Sequence, residues 1–213
     1  IPLQRDMKDR PEYARLGTAM GDGYARLLGR PRPGLHWWRY VPPSTGAGER
    51  LPVLIFVHGW GANYKTYFHA WKPFADRMKM AVVMPTLGFG ELPGVDHGLE
   101  PFLVAWARDP TLDLSRAWIA GLSNGALRAV RAAGARPGAY RGVVLISPIA
   151  PAVRETGMRS FKNVGPVDLA PYPPVLVIHG GHDQHTTPLG LIASQKASLG
   201  ERGVAFTSHC YEG

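Results

Sequence analysis

The chain has 213 residues, a formal net charge of +8, 45% hydrophobic residues and one cysteine, Cys210. That length suits one domain with a substantial core. A lone cysteine excludes an intrachain disulfide, and no apolar run reaches the ~18 residues of a transmembrane helix. The basic residues are mostly arginines scattered singly, with no Lys/Arg run interleaved with aromatics. The charge is therefore read as a solvated surface with no nucleic-acid partner, while attraction to anionic polymers or lipid stays open. The chain begins at Ile1 and not at methionine. A segment upstream is accordingly expected, and the compartment is left undetermined.

Residues 1–36 are polar, Arg-rich and interrupted by glycine and proline, and are expected to form an N-terminal extension. Tyr13, Leu16, Met20, Tyr24, Leu27 and Leu28 fall near helical spacing, which predicts a short amphipathic helix within it. Trp37 to Val41 reads as a strand stopped by Pro42–Pro43. Val53–Val57 is apolar throughout, as in a strand buried on both faces of a parallel sheet. A helix is expected over Thr66–Met80, a strand over Ala81–Met84, and a further helix around Phe102, Leu103, Ala105 and Trp106. The apolar run Ala117–Ala120 is followed by a helical pattern from Ala126 to Ala133. Strands are expected at Val143–Ile146, Val175–Ile178 and Val204–Tyr211, with a helix over Leu189–Leu199. Ser147–Pro173 is the longest irregular stretch, read either as a short lid or acyl-pocket wall, with Met158, Phe161 and Tyr172 as the candidate substrate contacts, or as an ordered surface loop. Cys210, inside an apolar run, is expected to be a buried structural thiol. Nearly all-apolar strands alternating with helices define an α/β class with a mostly parallel central sheet and helices on both faces. Residues 37–213 form that single domain.

Three loops carry chemistry. Gly121–Leu122–Ser123–Asn124–Gly125 lies between a strand and a helix, the context in which G-x-S-x-G forms a nucleophile elbow. Ser123 then sits in a strained turn where Cβ atoms two residues either side would collide with the strand and helix. The plainer alternative makes Ser123 a helix N-cap. His58–Gly59–Trp60–Gly61 follows the Val53–Val57 strand, and His179–Gly180–Gly181–His182–Asp183 follows Val175–Ile178. Asp183 could also be a turn residue. His179, His182 and His185 with Asp183 have the composition of a metal cluster, but no metal is assigned. No cofactor is implied either, since both Gly-x-Gly-x-x-Gly and a Gly-Lys-Ser/Thr phosphate loop are missing.

With these loops in order, the chain from about Trp37 onward resembles the α/β-hydrolase family, without a large cap domain. Asp113–Leu114–Ser115–Arg116 leading into the elbow is similar to the feruloyl-esterase and polyhydroxyalkanoate-depolymerase-like branch. The resemblance implies a serine esterase: a carboxylic-ester hydrolase in which Ser123 is the nucleophile and Asp183 the triad acid. It also implies an oxyanion hole from the backbone N–H groups of Trp60 and Asn124, with His58 in a structural role. The substrate would be a small-molecule or polymer ester. A thioesterase or serine peptidase of the same fold, and a non-catalytic binding protein on this scaffold, are the alternatives. The base is expected to be either His209 or a histidine following Gly213, so that the domain's C-terminal end is read as cut short. Oligomeric state is not legible.

Overall fold

The computed structural model describes residues 37–59, 64–85, 99–158, 170–183 and 188–212. The extension expected over residues 1–36 lies outside them. The elements in chain order are β1 (Trp37–Tyr40), β2 (Leu51–Val57), α1 (Tyr64–Met78), β3 (Ala81–Pro85), α2 (Glu100–Trp106) and β4 (Leu112–Leu122). Then come α3 (Asn124–Ala135), β5 (Val143–Ile146), α4 (Ala150–Glu155), β6 (Val175–Gly180), α5 (Leu189–Glu201) and β7 (Phe206–Tyr211). They build one seven-stranded sheet in the order β1-β3-β2-β4-β5-β6-β7. Every pairing is parallel except that of β1 with β3.

The apolar strands behave as their composition dictates. Val53, Ile55 and Val57 pack into the core beneath α2, α3, α4 and α5, while Leu54 and Phe56 face α1 from the other side. Helices cover both faces, and no large cap is present among the described residues. Cover is uneven, however. On the α1 face Leu54, Phe56, Val82 and Met84 are at most 4% exposed. Leu122, Val144 and Ile146 on the same face are half-buried, and Thr207, His209 and Tyr211 beyond them are exposed. Among the described residues one helix, α1, covers one half of that face.

Three expectations need correction. The elbow strand starts at Leu112, five residues earlier than the apolar run suggested. Its register against β2 jumps from Pro52↔Asp113 to Val53↔Ala117, so Leu114, Ser115 and Arg116 bulge out. The bulge is closed locally: Asp113 Oδ1 accepts from the Ser115 amide at 3.1 Å and hydroxyl at 2.6 Å, and Oδ2 accepts from Arg116 Nε at 2.6 Å. These bonds, the Ser115 hydroxyl first and then Arg116, hold the Asp113 carboxyl down at about 2. The Asp-Leu-Ser-Arg segment therefore shapes the strand that carries the elbow. Second, Ser147–Pro173 is not wholly irregular, because Ala150–Glu155 forms α4 with Pro151 at its start, where a missing N–H costs nothing. Third, Cys210 is exposed. It lies on edge strand β7, where only Phe206 is buried, so the expected cover for the thiol is missing.

Candidate active site

Ser123 leaves β4 with φ 53° and ψ −117°, a backbone conformation that side-chain-bearing residues rarely adopt. Such strain costs about 1–3 kcal/mol and persists only where the surroundings enforce it. Two glycines do so. A Cβ on Gly121 would lie 2.4 Å from the Gly125 carbonyl oxygen, and one on Gly125 would lie 2.3 Å from that of Val57 and 2.4 Å from that of His58. Strand and helix thus approach more closely than any residue but glycine permits. The Ser123 amide donates to Ile146 O at 3.0 Å, tying the bend to β5. Ser123 stands at the N-cap position, but its hydroxyl makes no capping hydrogen bond. The N-cap alternative therefore lacks the interaction that would define it.

The loop after β2 is brought against this bend. A Cβ on Gly59 would lie 3.1 Å from Leu122 O and 3.3 Å from Ser123 Cβ. His58 is buried, and its Nδ1 lies 2.8 Å from Gly59 O, which it serves as a donor, so the ring is engaged within its own loop. Trp60, one residue further on, lies outside the described residues. Asn124 opens α3, and a first-turn amide has no partner inside its own helix.

On the other side of β4, β5 and β6 follow in register, Leu122↔Ile146 and Ile146↔Ile178. Ser123 and Ser147 therefore leave β4 and β5 at the rim where His179 stands, one residue before the end of β6. Asp183 follows four residues after His179, its amide donating to Gly180 O at 3.1 Å. Gly181 N donates to Tyr211 O at 2.8 Å, which hangs this acid-bearing loop from the end of β7. With strands spaced about 4.8 Å apart, β4 and β6 are separated by roughly 10 Å. An imidazole hydrogen-bonded at each end can bridge such a gap.

His209 does not occupy it. It pairs with Ile178 across β6 and β7, three strands from β4, and shares the sheet face of Ile146 and Leu122. Its ring sits edge-on to Tyr211 with centroids 4.5 Å apart. His179 is buried with Nδ1 3.3 Å from Gly180 O, and His182 is exposed. Among the described residues no three His, Cys, Asp or Glu side chains converge as metal ligands; His185 lies outside them.

Tyr172, expected at a substrate pocket, is instead packed against the core, and its hydroxyl donates to Val130 O at 3.2 Å. Burial pushes its phenol above the ordinary tyrosine range. Met158 is exposed, and Phe161 lies outside the described residues. The strained Ser147, φ 38°, was not singled out in the sequence, because only the pairing register places it beside Ser123.

Strand order, the crossover of β3 and β2, and a serine bend at the end of a central strand define the α/β-hydrolase fold. Solved structures agree. A ferulic acid esterase superposes with a TM-score of 0.64 at 16% identity, over 83% of this chain and 83% of its own. The fluorophosphonate-binding serine hydrolase FphF of Staphylococcus aureus does so with 0.62 at 15% identity, over 84% of this chain and 91% of its own. The S-formylglutathione hydrolase FrmB of the same organism gives 0.60 at 15%, with 84% and 91% covered. No family model and no curated protein matches the sequence. Among the described residues no helix is long and apolar enough to cross a membrane.

Proposed function

We propose that this protein is a serine hydrolase, most specifically a carboxylic-ester hydrolase working through an acyl-enzyme on Ser123. The observation that carries the reading is the bend at Ser123: a strained serine held between two glycines that no other residue could replace. A fold supports many chemistries, so the argument rests on this site. The hydroxyl oxygen would attack the ester carbonyl carbon while a histidine takes its proton. The carbon–oxygen bond to the alcohol then breaks, and the alcohol leaves with that proton. Water next attacks the acyl-enzyme and restores the serine. Asp183 would hold the imidazole and stabilise its charged form. The amides of Trp60 and Asn124 would bind the oxyanion, and losing one such donor costs about 3–4 kcal/mol of transition-state stabilisation.

For the base, His209 fits this geometry poorly. The backbone leaving Tyr211 emerges beside the Asp183 loop, whereas the His209 ring lies along the sheet face. That a ferulic acid esterase and a fluorophosphonate-binding serine hydrolase share the fold supports the reaction class. A thioesterase or serine peptidase would use the same groups.

The test is labelling of the full-length protein with a fluorophosphonate. Wild type should label and Ser123→Ala should not. No labelling of either would leave a non-catalytic binding protein in its place.

A further inference from the structure

The rim carries a second strained serine for which the proposed chemistry has no use. Ser147 has φ 38°, and among the described residues only Lys79, Ser123 and Ser147 combine positive φ with a side chain. Pro148 follows it, and a proline further restricts the residue before it. Glycine would adopt this conformation without penalty. Ser147 is half-buried, and its amide donates to Ile178 O at 2.7 Å. Its hydroxyl has no hydrogen-bond partner among the described residues.

Its position fixes what that hydroxyl can meet. Leu122↔Ile146 pairing sets Ser147 one strand from Ser123, about 4.8 Å across the sheet. It stands on the side away from the His58–Gly59 loop, which closes on Ser123 from β2. The next strand, β6, leads to Asp183. On the mechanism proposed above, the oxyanion would lie on the Gly59 flank of Ser123 and the base on the other, over β5. A leaving alcohol would then depart past Ser147. Among the described residues, the titratable groups in the loops at this rim are His58, His179, His182 and Asp183.

We infer that Ser147 is a specificity residue for the alcohol portion of the substrate, its hydroxyl hydrogen-bonding a polar group close to the ester oxygen. The preferred substrates are then esters of polyols or hydroxyl-bearing alcohols over esters of plain alkyl alcohols with the same acyl group. This inference rests on the esterase reading above.

The test compares kcat/KM for the propyl and 2,3-dihydroxypropyl esters of one acyl acid, in wild type, Ser147→Ala and Ser147→Gly. Wild type should favour the dihydroxypropyl ester. Both variants should lose about three- to ten-fold on it, the equivalent of one hydrogen bond, while keeping propyl-ester turnover. Ser147→Gly, freed of the strained φ, should also melt no lower than wild type. Equal losses on both esters, or an unchanged ratio, would overturn the assignment and leave the esterase reading intact. Failure of wild type to hydrolyse either ester would overturn both.

Discussion

The approach of the elbow helix to the end of β2 is the sharpest quantity in the site, and Gly125→Ala tests it. The added methyl would stand 2.3 Å from Val57 O and 2.4 Å from His58 O, against the 3.4 Å at which ordinary contact begins. The overlap is therefore about 1.1 Å. Both oxygens belong to backbone with little room to swing aside: Val57 is paired with Gly121 of β4, and His58 follows it directly. Alanine gains at most about 1 kcal/mol of helix propensity over glycine, and overpacking of this kind costs typically 1–3 kcal/mol, occasionally more. A net loss of about 2 kcal/mol is expected, the upper end of that cost less the helix gain, which for a chain of this size lowers Tm by roughly 4–8 °C. Thermal unfolding followed by circular dichroism reads it directly. Gly200→Ala is the control, since nothing lies within 4 Å of a Cβ there and the helix gain is unopposed. It should raise stability by a few tenths up to about 1 kcal/mol. A Gly125→Ala protein that melts within 2 °C of wild type, with a ~2 °C window set by that per-kcal scale, would refute the close approach.

Two further outcomes are expected. Asp113 has its pKa lowered to about 2, so it contributes stability that is present above the ordinary carboxylate pKa and lost as pH falls through about 2. Asp113→Asn should cost about 1 kcal/mol at neutral pH, mostly lost hydrogen bonds, since its partner Arg116 is half-exposed. The denaturant midpoint of the variant should accordingly fall less steeply than wild type between pH 4 and pH 2, the window about which this carboxyl titrates. Cys210, exposed on β7, should react with a thiol reagent in the native protein at one equivalent, and Cys210→Ser should leave stability within about 0.5 kcal/mol. A thiol that titrates only in denaturant would contradict that placement.

What was legible in the sequence divides along physical lines. β2, β3, β5 and β6 announce themselves because strands buried on both faces must be apolar at every position. The elbow was legible for a related reason: Gly121 and Gly125 are steric requirements, and they bracket a serine between a strand and a helix. The start of β4 was hidden because its bulged residues, Leu114 to Arg116, satisfy one another through Asp113 and not through apolar burial. Cys210 was misjudged because an apolar run says that a strand forms and not that anything covers it. The relation of Ser123 to Ser147 was invisible for a third reason. It arises from the register of two strands twenty-four positions apart, which no local pattern encodes.

The bond from Gly181 N to Tyr211 O has a dynamic corollary. Among the described residues β7 has β6 as its sole neighbour in the sheet, and five of its six residues are exposed. Border strands open before interior ones, so amides there exchange with solvent at a free energy well below that of global unfolding. Each such opening also loosens the tether of the carboxylate-bearing loop. Stiffening the outermost strand would therefore steady Asp183 without a single change at the rim that carries Ser123.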